Sequence, residues 1–94
     1  MPLTLKFIGA MRQISGKTQL TVNYQEGNTL KDLVTRLTGE MPQIQKIFSD
    51  HQFGGSASNS LVLVNGREIS VLNGLDTKLN DGDEIVFIPV VHGG

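Results

Sequence analysis

One amphipathic helix pattern with strand patterns on both sides most constrains how this chain can fold. Thr29 is a candidate N-cap, and Asp32 three residues later completes a pattern similar to a capping box, with Asp in place of the usual Glu. The apolar residues that follow recur at helical spacing and predict one buried face: Leu30, Leu33, Val34 and Leu37. Gly39 is expected to end the helix, and Pro42 cannot continue it.

Two strand patterns precede this helix. Residues 3–7 and 20–24 alternate between apolar and polar side chains, which is typical of strands with one buried face. Gly16 is expected at the centre of a turn over residues 14–18. The two strands should therefore form an antiparallel hairpin.

Further turns follow the helix. A short second helical turn is expected at residues 43–48, and the polar, glycine-rich segment 49–60 is interpreted as a flexible loop. The apolar run 61–64 ends at Asn65-Gly66, the dipeptide most typical of hairpins, and residues 69–71 are expected to return from that turn.

The last part of the chain contains one more strand pattern. Residues 73–79 predict a turn or a single helical turn, and Asp81-Gly82 predicts a tight turn into a strand at residues 84–89. We expect the first and last strands to lie side by side at the centre of the sheet. Ile85 and Phe87 should then face the helix, and Val86 and Ile88 the opposite side.

This order of elements predicts an α+β fold, a mixed sheet of four to five strands with one main helix packed on one face. The chain has 94 residues, which indicates a single domain at residues 1–94, with a flexible C-terminal tail at residues 89–94. Lys and Arg number 8 and Asp and Glu 9, without a block of one sign, which argues against binding to nucleic acid or a membrane surface. The sequence lacks a signal-peptide pattern, so the cytoplasm is the expected location.

Side chains that could perform catalysis are scarce. The chain has no cysteine, which excludes disulfides and thiolate nucleophiles. His51 and His92 each lie without a second ligand at a suitable spacing, so we expect solvated histidines and no metal site. No Ser/His/Asp or paired-carboxylate arrangement is present, and we expect no catalytic residue.

The C-terminus offers a different kind of chemistry. The sequence ends Pro89-Val90-Val91-His92-Gly93-Gly94. One interpretation is a frayed or trimmed end. In the other, the Gly94 carboxylate is itself the reactive group, because a five-residue tail beyond Pro89 reaches roughly 16 Å and two glycines can enter a narrow channel. Such a carboxylate reacts only after activation, for example by ATP on a partner enzyme, so the protein would be a substrate.

The sequence resembles the ubiquitin-like β-grasp proteins and, among them, the MoaD/ThiS sulfur-carrier group. The most specific part is Asp81-Gly82-Asp83-Glu84, the apolar strand, Pro89 and the terminal Gly93-Gly94, which resemble the C-terminus of the molybdopterin-synthase small subunit. The resemblance implies a carrier, or a non-catalytic small subunit of a sulfur-transfer enzyme, that binds no cofactor. An adenylating enzyme similar to MoeB and ThiF would use ATP to activate Gly94. A sulfur donor would then convert Gly94 to a thiocarboxylate.

The resemblance also implies how the tail is used. The segment from Pro89 through Val90, Val91, His92 and Gly93 would pass through a channel in the partner and deliver sulfur to an acceptor enzyme. That acceptor could be the large subunit of molybdopterin synthase, as in molybdenum cofactor biosynthesis, or a cysteine synthase. Val90 and His92 depart from the family pattern, which often has a second proline and a small residue at these positions.

Partner contact is expected on the sheet face away from the helix, at Val86 and Ile88, unless segment 49–60 covers them. Arg67 is a candidate contact at the rim, although a solvated side chain is the plainer interpretation. Two other functions compete with the sulfur carrier. One is a protein modifier joined to lysines through Gly94, and the other is a binding domain whose tail has no role.

Overall fold

The computed structural model describes residues 2–44 and 60–89. Its strands and helices, in chain order, are β1 (Leu3–Phe7), α1 (Ala10–Ser15), β2 (Gln19–Val22), α2 (Leu30–Glu40), β3 (Ser60–Val64), β4 (Arg67–Glu68) and β5 (Glu84–Pro89). Single 3₁₀ turns occur at Pro42–Ile44, Ile69–Val71 and Gly74–Asp76. The predicted α+β fold, with one main helix and a mixed sheet of four to five strands, is confirmed.

The five strands form one sheet in the order β2-β1-β5-β3-β4. β1 and β5 run parallel side by side, as predicted, and the other neighbouring strands are antiparallel. β5 is therefore the central strand, and it is paired along both edges. A continuous apolar run such as residues 85–88 suits this position, because both faces of a central strand are at least partly covered.

The core lies between α2 and one face of the sheet. Ile85 and Phe87 are 0% exposed, which confirms that they face the helix. Alternate residues of β1 are buried on the same side: Leu3, Leu5 and Phe7. The predicted apolar stripe of α2 faces this core. Val34 is half-buried, and the three leucines of the stripe are buried: Leu30, Leu33 and Leu37.

The capping box of α2 is present as predicted. Thr29 Oγ1 accepts from Asp32 N at 3.3 Å, and Thr29 N donates to Asp32 Oδ2 at 2.9 Å. The prediction that Gly39 ends the helix is wrong, since α2 continues to Glu40 and caps at Met41. Met41 is buried and its N–H donates to the Leu37 carbonyl at 2.7 Å, so burial one turn beyond Leu37 extends the helix past glycine.

The connection between β1 and β2 is not a simple hairpin turn. The strands pair antiparallel as predicted, but α1 lies between them. α1 buries Met11 and packs the half-buried Ile14 against the core. It ends at Gly16, whose φ of 75° is left-handed and favours glycine. The spacing of Met11 and Ile14 is the helical signal that the prediction of a turn at residues 14–18 overlooked.

The turn at Asn65-Gly66 is confirmed, with φ values of 52° and 82° that match a tight hairpin turn. The prediction that residues 69–71 return as a strand is wrong, because β4 is only two residues long. The Glu68 side chain accepts from Ser70 N and starts a 3₁₀ turn instead. The predicted helical turn within residues 73–79 is confirmed at Gly74–Asp76.

Segment 49–60, interpreted as a loop, lies outside the described residues except for Ser60, which belongs to β3. The predicted helical turn at residues 43–48 is described only up to Ile44, where the 3₁₀ turn buries that side chain. Over the two described ranges, no helix is both long enough and apolar enough to span a membrane.

Candidate functional site at the end of the central strand

The C-terminal segment, residues 90–94, follows directly on the last residue of β5. Pro89, assigned to the tail from the sequence, is the last residue of β5 and pairs with Ser60 of β3. Proline has no N–H, so it donates no hydrogen bond at this last position of the ladder. Beyond it, the predicted site residues lie outside the described part of the chain: Val90, Val91, His92, Gly93 and Gly94.

The last pairs of the β1–β5 ladder bind the C-terminal part of β5 to β1. Phe7 pairs with Phe87 in parallel register, and Ile8 N donates to the Phe87 carbonyl at 3.0 Å. The two buried phenylalanine rings stack with their centroids 5.7 Å apart and an interplanar angle of 19°. An aromatic pair of this kind contributes about 1 kcal/mol beyond its burial. Backbone hydrogen bonding and a buried aromatic contact therefore join β5 to β1 as far as Phe87.

The sheet face away from α2 carries an apolar patch beside this end of β5. Val86 and Ile88 lie on that face, as predicted, and both are half-buried. β3 adds Leu63 opposite Val86 and Leu61 opposite Ile88. We call these four half-buried side chains the outer patch. The sequence analysis missed the contribution of β3. Successive side chains of a strand point to opposite faces, so the β3–β5 register is needed to show that Leu61 and Leu63 share the face of Val86 and Ile88.

An ion pair borders the outer patch on the β1 side. Lys6 is the register partner of Val86, and its Nζ lies 3.1 Å from Glu84 Oε2. The two side chains are 42% and 43% exposed, so solvent screens their attraction and its contribution to stability is small. The pair instead gives the apolar patch a charged edge, as is usual where a protein binds another.

Arg67 lies apart from the other predicted contacts. It pairs with Val64, which in turn pairs with Ile85, so its side chain starts from the helix side of the sheet. Ile85 is also three residues before Ile88, roughly 10 Å along the strand. The structure thus brings Val86 and Ile88 together with Leu61 and Leu63, and leaves Arg67 at the opposite end and on the opposite face.

The sequence analysis also missed two cations at the end of the sheet where the C-terminal segment leaves. Arg12 in α1 is exposed, and its Nε donates to the Phe7 carbonyl at 3.0 Å. Lys17 is exposed and precedes Thr18, whose carbonyl accepts from Phe7 N at 3.0 Å. Only the strand pairing brings them to this end, because both lie more than 70 residues before the terminus in the sequence.

The described residues contain no group of three or more His, Asp or Glu side chains that could hold a metal ion. Both histidines of the chain, His51 and His92, lie outside the two described ranges. The interpretation of the histidines as solvated therefore stays a prediction.

A five-stranded mixed sheet with one main helix and the last strand at its centre is a ubiquitin-like β-grasp fold, and the comparisons place the chain in the sulfur-carrier and modifier class of this fold. The model of the ThiS family matches residues 5–94, and this chain belongs to the ThiS family. Members of this family are small carrier and modifier proteins or non-catalytic subunits.

Individual relatives support the same class. The chain is 30% identical over 95 residues to small archaeal modifier protein 3 of Haloferax volcanii, with 100% of both chains covered. It is 33% identical over 67 residues to a putative sulfur carrier protein of Archaeoglobus fulgidus, covering 71% of this chain and 72% of that protein. The solution structure of small archaeal modifier protein 1 from Methanosarcina acetivorans superposes with a TM-score of 0.78 at 30% identity, covering 99% and 96% of the chains.

Proposed function

We propose that this protein carries sulfur as a thiocarboxylate at the carboxyl group of Gly94. One observation carries the proposal: the ThiS family match extends to residue 94, and this Gly-Gly terminus lies five residues beyond Pro89, the last residue of the central strand β5. Ile88 of the outer patch directly precedes Pro89, so a partner that binds the patch contacts the chain close to the start of the C-terminal segment.

The chemistry requires activation by a partner. An oxygen of the Gly94 carboxylate attacks the α-phosphorus of ATP on an adenylating enzyme similar to MoeB and ThiF, and pyrophosphate leaves. Hydrosulfide supplied by the sulfur donor then attacks the carbonyl carbon, AMP leaves with the electron pair of the broken C–O bond, and loss of the S–H proton gives the thiocarboxylate. The chain supplies no cysteine or catalytic side chain to either step, and ATP is bound by the partner enzyme.

The outer patch is the proposed docking surface for the adenylating enzyme and then for an acceptor enzyme. Its four side chains lie on two adjacent strands about 4.8 Å apart, which makes one continuous apolar area. A large subunit of molybdopterin synthase or a cysteine synthase is the proposed kind of acceptor. The imidazole of His92, one residue before the two glycines, requires either a channel wider than one that accepts a small residue or a polar pocket.

A second function, protein modification, is favoured by the 30% identity to small archaeal modifier protein 3 over the full length of both chains. In this case a lysine ε-amine, instead of sulfur, attacks the same acyl-adenylate, and an isopeptide bond forms as AMP leaves. The two functions share the activation step and differ only in the nucleophile. One protein can therefore perform both.

Intact-mass spectrometry tests the proposal. The full chain is incubated with ATP, a sulfide source and the MoeB- and ThiF-like enzymes of the same organism. Sulfur transfer is expected to increase the mass by the difference between one sulfur and one oxygen atom. An unchanged mass with each of these enzymes would refute the sulfur-carrier proposal.

Deletion of Gly93 and Gly94 is the control. The deletion removes no residue of the described core, so the circular dichroism spectrum and thermal midpoint should match those of the full chain. The mass increase should be lost. For the modifier function, tryptic peptides of other proteins should carry a remnant of the C-terminal tail on lysine, and the deleted form should leave none.

A further inference from the structure

Among the residues that the structure describes, those around the end of β5 include cations and no acidic side chain. Residues 8–18, which follow β1 at this end of the sheet, include Arg12 and Lys17 and no Asp or Glu. Residues 85–89 of β5 are also without acidic side chains. By contrast, charges of both signs occur where β5 begins: Asp81, Asp83 and Glu84 precede or start the strand, Glu84 pairs with Lys6, and Arg67 lies at the same end. Over the described residues, the sheet therefore has charges of both signs at the start of β5 and cations without acids at its other end, which we call the basic end.

Hydrogen bonds fix the Arg12 side chain and the backbone of Lys17. Arg12 donates from Nε to the Phe7 carbonyl, so its guanidinium is held at the end of β1. The hydroxyl of Ser15 is buried and donates to the Met11 carbonyl at 2.6 Å. The same oxygen accepts from Lys17 N at 3.2 Å and lies 3.0 Å from the Lys17 carbonyl. This network fixes the backbone that carries Lys17.

The guanidinium of Arg12 loses less conformational entropy on pairing with a carboxylate, because it is already held in place. Ordering a long side chain at an interface costs conformational entropy, and the Arg12 side chain, already held by the Phe7 carbonyl, avoids part of that cost. Arg12 uses one of five N–H donors in this bond. Within residues 2–44 and 60–89 no acceptor occupies its terminal nitrogens, which leaves a planar fork suited to a carboxylate.

Any partner that receives the C-terminal segment must cover this basic end. A standard interface buries about 800 Å² on each side, a disc of roughly 16 Å radius. From the strand spacing and rise, Arg12 Nε lies about 12 Å from the Pro89 backbone, and Lys17 lies at a similar distance. Both cations therefore fall inside the contact area, towards its rim.

We propose that Arg12 and Lys17 form a docking surface for acidic side chains around the mouth of the channel that receives the C-terminal segment. The partner is a protein with carboxylates at this rim. Nucleic acid is a poor alternative, because the chain has a net charge of −1 and two cations neutralise too few phosphates. This inference rests on the proposed function and adds what its partner must present.

Charge-reversal kinetics on the full chain test this surface. The readout is the KM of the adenylating enzyme for the carrier, from ATP–pyrophosphate exchange at low and high NaCl. The double variant Arg12→Glu/Lys17→Glu is expected to raise KM about tenfold at low salt, because rim charges mainly alter association. kcat should stay unchanged, and the difference from the unaltered protein should shrink at high salt.

Matched controls separate charge from structure. Lys31→Glu/Lys78→Glu makes the same charge change at the opposite end of the sheet, where Thr77 O accepts from Leu30 N, and should alter KM less than about twofold. Arg12→Lys keeps the charge but not the Nε bond, whereas Arg12→Gln removes the charge. A docking role predicts that Gln raises KM most, and that Lys gives an intermediate KM because it keeps the charge but loses the anchored planar fork.

The outcomes distinguish the docking surface from the proposed function. Equal KM values for the two double variants, or an Arg12 effect that does not depend on salt, would overturn the docking surface while leaving adenylation intact. Binding without ATP is measured by fluorescence anisotropy of the labelled chain with the same enzyme. Binding that depends on Arg12 without any adenylation would retain the surface and refute the function. If the unaltered chain neither binds nor is adenylated, both are overturned.

Discussion

Replacing Asn65 with alanine tests how the β3–β4 turn is held against the start of β5. Asn65 Nδ2 donates to Asp83 Oδ1 at 2.8 Å, and Asn65 Oδ1 accepts from Glu84 N at 2.9 Å. The Asp83 side chain is buried and also accepts from Asn80 N at 2.7 Å. The Asn65 backbone has a φ of 52°, which asparagine tolerates better than alanine.

The expected loss has three parts. The neutral hydrogen bond to Glu84 N contributes about 1 kcal/mol, and the bond to the Asp83 carboxylate about 2 kcal/mol. The left-handed backbone costs alanine about 1 kcal/mol more than asparagine. Asn65→Ala should therefore lower the free energy of unfolding by about 4 kcal/mol. The free energy of unfolding of a domain of this length is roughly 5–14 kcal/mol, so the variant should be close to unfolding.

Urea denaturation followed by circular dichroism measures this loss, with the slope m expected to stay unchanged. Asn65→Gly is the control, because glycine loses both side-chain bonds but accepts the left-handed backbone. Glycine also makes the unfolded chain more flexible, which destabilises the fold by up to about 1 kcal/mol. Asn65→Gly should therefore lower the free energy of unfolding by about 3–4 kcal/mol. A loss below about 1 kcal/mol for Asn65→Gly would refute the hydrogen-bond reasoning, since backbone strain alone would then explain the alanine result.

Three further predictions concern the helix, the ion pair and the outer patch. Thr29→Ala removes the capping box and should lower the free energy of unfolding by about 1 kcal/mol in urea titrations; an unchanged midpoint would contradict a role for the cap. A double-mutant cycle on Lys6 and Glu84 should give a coupling below about 0.5 kcal/mol that falls with NaCl, because both groups are well exposed, and a larger, salt-independent coupling would show that solvent does not screen the pair. Val86→Asp should raise the KM of the adenylating enzyme about tenfold, whereas Thr21→Asp, an exposed position on β2 of the same face, should change it little; similar effects of the two would exclude the outer patch as the docking surface.

Local sequence signals predicted elements whose hydrogen bonds close within a few residues. The capping box joins residues three apart, and the Asn65-Gly66 turn needs only two left-handed residues in succession. The alternation in residues 84–89 also predicted which side of β5 faces the helix, because successive side chains of a strand point to opposite faces. These features depend on short-range geometry, which the residues themselves specify.

Local signals failed where burial elsewhere decided the outcome. Gly39 remains inside α2 because Met41 is buried one turn after Leu37, and that site exists only once the helix packs on the sheet. Similarly, α1 replaces a simple turn because Met11 has a place in the core. Apolar burial gained in the tertiary structure outweighs a difference in helix propensity of about 1 kcal/mol.

The sequence by itself determined that Gly93-Gly94 follows an apolar strand, which predicts a reactive acyl group at Gly94. Only the tertiary structure decided what surrounds the end of that strand. The parallel pairing of β1 with β5 brings Arg12 and Lys17 to the exit, and the β3–β5 register adds Leu61 and Leu63 to the outer patch. Strand pairing joins residues that are far apart in the chain, and no spacing along the sequence encodes such a neighbourhood.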